Sequence, residues 1–385
     1  MTPHCVLLAC GSDWQAPVRL PRLFQRAGCK VTVFASPDWG ITKTCFIDEI
    51  VPAPTDLPAY VDALREHLAL NQRKYSWIVV VDDPLLEALV RKKEEAWARE
   101  ILPLSRTSGF VDLLADKSAL SHLSTKLDLS MPSSAVCDSP EEADAAAREI
   151  GYPLVVKLSS SYAGMGVRKV DDASQLHAMW TELRAEKQVV LQRFVDGRLG
   201  NTAALFSKGR LLASMSAFKS RTWPGAFGPS SARQFTDDDQ IDVLLERFGR
   251  QTTYDGFCAF DWILNSADQI NVIELNARPV PALHLAMRVG VDFSEAIRDF
   301  LTARSTPERL RAVPQCSSQT RNEAIFPMFP EDFQRAIAEA DDAGLARFLP
   351  GEIGYDDIPW DDAPFLAHVL RRRATRRAFE RLFPD

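Results

Sequence analysis

The beginning of the chain alternates between short apolar runs and amphipathic stretches. Apolar runs at residues 6–9, 31–34 and 77–81 predict buried parallel strands, because strands covered on both faces read as continuous hydrophobic segments. A stretch that ends near Gly28 and another over residues 57–70 predict the helices between those strands. The pattern indicates a doubly wound start in an α/β protein.

After this region the pattern changes to a small α+β unit and then to antiparallel strands. A helix is predicted over residues 141–149, with strands at 154–158 and 189–195. The turn residues Lys208 and Gly209 then predict a hairpin. The chain of 385 residues exceeds the usual size of one compact core, so several domains are expected. The predicted division is a Rossmann-like domain (1–110), a small subdomain (111–190), a larger subdomain (191–305) and a C-terminal extension packed on them (306–385).

Residues 256–264 and 270–275 form two alternating segments rich in aromatic and β-branched side chains. The turn-rich stretch between them predicts a β-hairpin. A turn centred on residues 266–269 pairs Asn265 with Ile270. The same register, followed along the strands, places Asp261 opposite Glu274.

Alternation along the strands gives this hairpin one chemical face, made by Asp261, Glu274 and Asn276. Two carboxylates directly opposite each other repel unless a cation lies between them. Mg²⁺ takes one or two carboxylates together with other oxygen ligands, and Arg278 follows on the same side to reach a phosphate oxygen. For each residue taken alone, the competing interpretation is an ordinary solvated surface. The other face is predicted to be core, with Phe260, Trp262, Ile273 and Leu275.

Lys157 ends an apolar strand and precedes a loop of small residues. Small side chains let backbone N–H groups approach a phosphate, and a lysine adds a point charge beside them. For the loop, the alternative is a simple turn. Lys117, in the pair Asp116-Lys117, is a weaker candidate for the phosphates, and its alternative is an ordinary lysine on a surface helix. Beyond residue 189, a strand leaves its sheet at Gly197, where the backbone near Phe194 and Val195 could contact an adenine edge. An edge strand is the alternative there.

Taken in order along residues 1–300, these segments resemble the ATP-grasp superfamily. The matching motifs are Asp116-Lys117, the strand ending at Lys157 with its loop, residues 192–197, Asp261, and Glu274-x-Asn276-x-Arg278. The resemblance implies a Rossmann-like pre-ATP-grasp domain followed by a two-subdomain α+β ATP-grasp fold. It also implies a ligase that activates a carboxylate as an acyl phosphate and couples it to an amine, giving ADP and phosphate.

The resemblance assigns a role to each matching residue. Asp261, Glu274 and Asn276 would hold Mg²⁺, with Mn²⁺ as the alternative ion. Arg278 would stabilise the transferring phosphoryl group, with Lys219 and Arg221 facing the triphosphate or acyl phosphate. The implied ATP-binding residues are Lys117 and Lys157 at the phosphates and adenine side, Ser159, Ser160, Gly164 and Gly166 over the phosphates, and Gln192, Phe194 and Val195 at adenine.

Charge and cysteine usage exclude several other classes. The net charge of −7 disfavours a nucleic-acid partner, and no run of about 18 apolar residues suggests a membrane span. The seven cysteines are scattered without a C-x-x-C pair, which favours a reducing cytoplasm. No Walker A, G-x-G-x-x-G, H-E-x-x-H or G-x-S-x-G motif occurs.

The leading hypothesis is therefore an ATP- and Mg²⁺-dependent carboxylate–amine ligase acting on small molecules, in the cytoplasm. Two alternatives stay open: a catalytically silent ATP-binding regulatory protein, and an ATP-grasp kinase that phosphorylates a small molecule. A homodimer is the candidate assembly. The sequence does not identify the acid or the amine, because such pockets are built from variable loops.

Overall fold

The computed structural model describes most of the chain, in eight ranges: residues 2–14, 16–104, 109–158, 166–182, 188–225, 228–305, 325–348 and 357–371. Its strands form three sheets, two with four strands and one with six. No helix within these ranges is long and apolar enough to cross a membrane.

The N-terminal sheet is parallel, with strand order β3-β2-β1-β4. The predicted strands are confirmed. The third strand was not predicted, because its four residues are mostly exposed and lack an apolar run. The strands are β1 (Cys5–Ala9), β2 (Lys30–Ala35), β3 (Glu49–Pro52) and β4 (Trp77–Val80), and the helices are α1 (Leu20–Arg26), α2 (Leu57–Asn71), α3 (Asp83–Arg91) and α4 (Ala96–Ile101).

The second sheet is antiparallel, with order β5-β8-β6-β7. Its apolar face packs on two helices and forms a small core of its own. Its strands are β5 (Ser134–Cys137), β6 (Leu154–Leu158), β7 (Val167–Val170) and β8 (Val189–Arg193), and its helices are α5 (Lys117–Leu123), α6 (Pro140–Ile150) and α7 (Ala173–Glu182).

The third sheet has the order β13-β12-β9-β10-β11-β14 and is antiparallel throughout. The predicted hairpin at Lys208 and Gly209 is confirmed, and both residues have left-handed backbone angles, with φ of 48° and 85°. The strands are β9 (Gly197–Ser207), β10 (Arg210–Thr222), β11 (Ser230–Thr236), β12 (Gly256–Asn265), β13 (Ile270–Asn276) and β14 (Ile325–Pro327), with helices α8 (Asp239–Thr252) and α9 (Phe293–Ser305).

The C-terminal part of the chain contacts both the third sheet and the N-terminal domain. Strand β14 pairs with β11 at the edge of the third sheet. Further on, Asp357 forms an ion pair with Arg19, at 3.6 Å, and Asp362 accepts a hydrogen bond from Thr44, both in the N-terminal domain. The remaining helices are α10 (Glu331–Ala338), α11 (Asp342–Ala346) and α12 (Ala363–Arg371).

One contiguous apolar core joins the N-terminal sheet to the third sheet, whereas the second sheet has a separate core. Trp77 on β4 illustrates the connection, because its ring stacks on Phe257 of β12 at a centroid distance of 5.4 Å. The molecule therefore consists of a large body carrying two sheets and a smaller unit packed beside it.

Candidate metal and nucleotide site

The predicted register of the hairpin is confirmed where the chemistry lies. Asp261 pairs directly with Glu274, and Ala259 pairs with Asn276. The predicted pairing of Asn265 with Ile270 is wrong, because Leu264 pairs with Ile270 instead. A β-bulge next to Asp261 shifts the register by one residue between the turn and the carboxylates.

The opposite face of β12 is anchored in the core by Trp262, which is 1% exposed. Its indole N–H donates a hydrogen bond to Thr202 Oγ1 over 2.9 Å. The ring lies flat against Gly200 of the neighbouring strand, where any side chain would overlap it. Because Trp262 points into the core, the preceding residue Asp261 must point to the other face.

Asp261 lies at the centre of the polar face. It accepts hydrogen bonds from Asn201 Nδ2, at 2.5 Å, and from Lys219 Nζ, at 2.8 Å. Asn201 pairs with Asp261 in the strand register, and on its other side it pairs with Ala217, whose small side chain leaves room for Lys219 to reach across. Burial alone would raise the pKa of Asp261, but Lys219 and Asn201 outweigh it, so the pKa lies below its usual range.

The oxygen atoms of this face fit a divalent ion. Asp261 and Glu274 are directly opposed, which places their Cβ atoms about 5 Å apart, and Asn276 adds an amide oxygen two pairs further along, on the same face. Mg²⁺ typically takes one or two carboxylates and completes its shell with water and phosphate oxygens. In the described parts of the chain, no group of three or more His, Cys, Asp or Glu side chains forms an all-protein metal cage. The face therefore suits an ion that shares its ligands with a nucleotide.

Arg278 is held by the N-terminal domain. Its Nε and Nη2 atoms donate to both oxygens of Asp83, each over 2.7 Å, and Nη2 also donates to Asn276 Oδ1 over 3.3 Å. The guanidinium lies 4.2 Å from the ring centre of Trp14. Asp83 begins helix α3 at the carboxyl end of β4, so the edge of the parallel sheet orients the arginine beside the predicted metal ligands.

Lys157 links the second sheet to the hairpin. Its Nζ donates to the carbonyl oxygen of Ile273 over 3.0 Å. Ile273 is the extra residue of the bulge and has no cross-strand partner in the ladder, so its carbonyl can accept this bond. The lysine predicted at the phosphates thus lies next to Glu274 in the structure.

The predicted adenine residues lie where β8 ends. Gln192 is buried within the strand. Phe194 follows it, donates its backbone N–H to Pro153 over 3.0 Å, and lies with its ring 4.9 Å from Lys169 Nζ, and Val195 is half-buried. Of the predicted phosphate loop, Gly166 accepts a hydrogen bond from Leu158 over 3.0 Å. Ser159, Ser160, Gly164 and the side chain of Lys117 lie outside the described residues.

Arg221 is directed away from the metal ligands and towards the C-terminal segment. It donates two hydrogen bonds to the buried carboxylate of Asp332, over 3.1 and 2.8 Å. Asp332 also accepts hydrogen bonds from Ser231 and Arg335. This network connects β10 and β11 to helix α10. The guanidinium of Arg221, which the resemblance assigned to the triphosphate or acyl phosphate, is therefore bound to Asp332 in the structure.

Three residues of the site receive no role from the sequence pattern: Asn201, Asp83 and Arg233. Arg233 pairs directly with Lys219 across β10 and β11, so its place on the polar face follows from the register of the sheet and not from a local sequence pattern. Its Nη1 donates to Asn201 Oδ1 over 3.1 Å.

Comparison with solved structures identifies this arrangement. The N5-carboxyaminoimidazole synthetase of Staphylococcus aureus, solved with ADP, superimposes with a TM-score of 0.64 at 13% identity, over 88% of this chain and 86% of that one. The chain has an ATP-grasp fold. The L-amino acid ligase of Bacillus licheniformis also matches, with a TM-score of 0.59 at 18% identity, over 80% and 77% of the two chains. The predicted fold class is confirmed.

Sequence comparison finds similarity over part of this chain. A model of the carbamoyl-phosphate synthase L chain, ATP binding domain, matches residues 116–198. The D-alanine–D-alanine ligase of Ectopseudomonas mendocina (strain ymp) is 26% identical over 210 residues, which cover 48% of this chain and 65% of that ligase. The formate-dependent phosphoribosylglycinamide formyltransferase of Cupriavidus taiwanensis is 30% identical over 151 residues, covering 37% and 34%. The match thus spans less than two thirds of either curated relative.

The contact between Lys219 and Asp261 leads to a prediction about metal dependence. The Lys219→Met variant keeps the aliphatic stem but leaves Asp261 buried without its nearest cation. Breaking a buried ion pair costs about 3–5 kcal/mol, and the cost should lie near the lower figure because Asn201 still donates to Asp261. A divalent ion offsets the same charge, so Mg²⁺ with ADP should raise the melting temperature of the variant more than that of the wild type.

Differential scanning calorimetry with and without MgADP measures this effect. Lys74→Met is the matched control, because Lys74 pairs with Glu49 on the surface of the N-terminal sheet. Equal gains in the melting temperature of both variants on adding MgADP would contradict the assignment of Asp261 to the metal.

Proposed function

We propose that this protein is an ATP- and Mg²⁺-dependent ligase that joins a carboxylate to an amine and releases ADP and phosphate. The observation that carries the proposal is the direct pairing of Asp261 with Glu274 on a face flanked by Lys219 and Arg278. A triphosphate with its divalent ion needs this combination of carboxylates and cations. The names of the D-alanine–D-alanine ligase and the L-amino acid ligase support amide-bond formation as the reaction class.

The proposed role of each residue follows from its charge. Asp261, Glu274 and Asn276 would hold Mg²⁺, which when bound stabilises negative charge on the phosphoryl oxygens. Lys157 lies beside Glu274 and is assigned to the phosphates. Arg278 is oriented by Asp83, and it is assigned to the transferring phosphoryl group, where a fixed guanidinium stabilises charge without reorganising.

The reaction needs little covalent help from the protein. A carboxylate oxygen of the first substrate attacks the γ-phosphorus, the bond from phosphorus to the ADP oxygen breaks, and an acyl phosphate forms. The nitrogen of the second substrate then attacks the acyl carbon, phosphate leaves, and the amine loses its proton. The chain's contribution is to position both substrates and to neutralise the charge that develops.

Product analysis tests this proposal. With ATP, Mg²⁺ and a panel of acids and amines, we expect ADP to form only when both a suitable acid and a suitable amine are present. If the carboxylate carries oxygen-18, one labelled oxygen should appear in the released phosphate, because that oxygen bridges carbon and phosphorus in the acyl phosphate. Formation of AMP, or phosphate without label, would contradict the acyl-phosphate route.

The same assay separates the alternatives. A small-molecule kinase would give a stable phosphorylated product without any amine, and a silent regulatory protein would bind MgATP without releasing ADP. We place the enzyme in the cytoplasm, because the six cysteines within the described ranges are free thiols.

A further inference from the structure

The polar face extends beyond the metal ligands to Arg233 on β11. This arginine is 5% exposed. Its Nη1 donates to Asn201, but its Nε is fully buried and has no acceptor among the residues that the structure describes. Burial lowers the pKa of Arg233, while Asp261 and Glu331 act in the opposite direction. The guanidinium is thus a buried cation with an unused donor.

A buried donor of this kind normally has a partner. The nearest carboxylate on the face, that of Asp261, is already bound by Lys219 and Asn201. The charge and the open N–H of Arg233 therefore suit an anion that is not part of the chain. Since Arg233 reaches the same Asn201 that contacts Asp261, this anion would lie next to the metal ligands.

Glu331 provides an opposite charge beside Arg233. Strand β14 places Phe326 directly opposite Arg233, and helix α10 begins shortly afterwards at Glu331. Burial, together with the nearby Asp357, raises the pKa of Glu331 to about 7, against the lowering effects of a backbone hydrogen bond, Arg19 and Arg233. A ligand cation would compensate this half-buried carboxylate, as a ligand anion would compensate Arg233.

We propose that Arg233 and Glu331 bind the head group of an amino acid, with Arg233 receiving its carboxylate and Glu331 its ammonium group. A simple phosphate or carboxylate would be repelled by Glu331, and a simple amine would be repelled by Arg233. A molecule carrying both charges satisfies both residues at once. That this amino acid is a substrate rests on the proposed ligase function, whereas the binding pocket does not.

Binding of blocked analogues tests the pocket. Thermal shifts of the protein loaded with Mg²⁺ and a non-hydrolysable ATP analogue are measured with each proteinogenic amino acid. The amino acid that binds best is then compared with its methyl ester and its N-acetyl derivative. Each block removes one charged contact, so we expect affinity to fall about tenfold or more.

Two variants assign each charge to its residue. Arg233→Gln should bind the ester and the free acid equally, and Glu331→Gln should bind the acetylated and free amines equally. Arg198→Gln is the matched control, since Arg198 is exposed on β9 and donates to Gln234 next to Arg233. This control should discriminate against both analogues as the wild type does.

The outcomes separate the pocket from the reaction. The pocket is overturned if no amino acid binds, if the wild type does not discriminate against the blocked analogues, or if folded Arg233→Gln discriminates as the wild type does. If Arg233→Gln does not fold, the wild-type comparison with both analogues still decides. Discriminating binding without any ADP formation would leave the pocket standing and reject the ligase function. ADP formation only with substrates other than amino acids would leave the ligase function standing and reject the amino acid as its substrate.

Discussion

The Glu274→Gln variant is expected to form ADP about a thousandfold more slowly than the wild type, because several kcal/mol of charge stabilisation by the metal would be lost. Glutamine keeps the shape of the side chain and one oxygen, but it removes the charge that, with Asp261, attracts a divalent ion. The melting temperature should change little, since relieving two opposed carboxylates offsets lost contacts. The rate of ADP formation is measured across a range of Mg²⁺ concentrations.

Glu246→Gln on the exposed face of α8 is the matched control and should retain full activity. A rate for Glu274→Gln within a fewfold of the wild type at every Mg²⁺ concentration would remove Glu274 from the metal site. A loss of activity accompanied by a large fall in melting temperature would instead point to a structural role.

Arg278→Lys should lower kcat by about a hundredfold and leave the KM for ATP nearly unchanged. Lysine keeps the charge but cannot make the two parallel hydrogen bonds that Asp83 now accepts, so the cation is no longer fixed in direction. An interaction that acts in the transition state affects kcat more than binding. Steady-state kinetics with saturating acid and amine measure both constants.

Asp83→Asn tests whether the carboxylate positions the arginine. It should cause a smaller loss than Arg278→Lys, and the double variant should lose less than the two single losses combined, because the residues act as a unit. Arg91→Lys is the control, since Arg91 lies exposed on the same helix as Asp83. Full additivity of the two losses would show that Arg278 works independently of Asp83.

The sequence predicted those parts of the fold that depend on local pattern. Three strands of the parallel sheet are continuous apolar runs. The pairing of Asp261 with Glu274 is predicted correctly although the predicted turn pair is wrong, because the bulge at Ile273 shifts the register by one residue. Strand β3 was missed because it is short and exposed, so its pairing partner rather than its own composition makes it a strand.

The polar contacts of the site depend on tertiary proximity and could not be predicted in the same way. Asp83 and Arg278 are 195 residues apart in sequence, and only the shared core of the N-terminal and third sheets brings them together. The resemblance to the ATP-grasp superfamily assigned Arg221 to the triphosphate or acyl phosphate, yet the structure gives it a buried partner, Asp332, from a segment 111 residues away.

The bulge at Ile273 divides strand β13 into two halves of opposite phase. Ile270 and Val272, nearer the turn, face the core, whereas Glu274, two residues further on, faces the nucleotide side. All three have the same parity, so an uninterrupted strand would bury the carboxylate with them. If Ile273 were instead accommodated as a regular strand residue, every charged residue would remain in the chain and Glu274 would still turn inwards. The bulge, rather than the composition of β13, therefore decides which side of the sheet Glu274 faces.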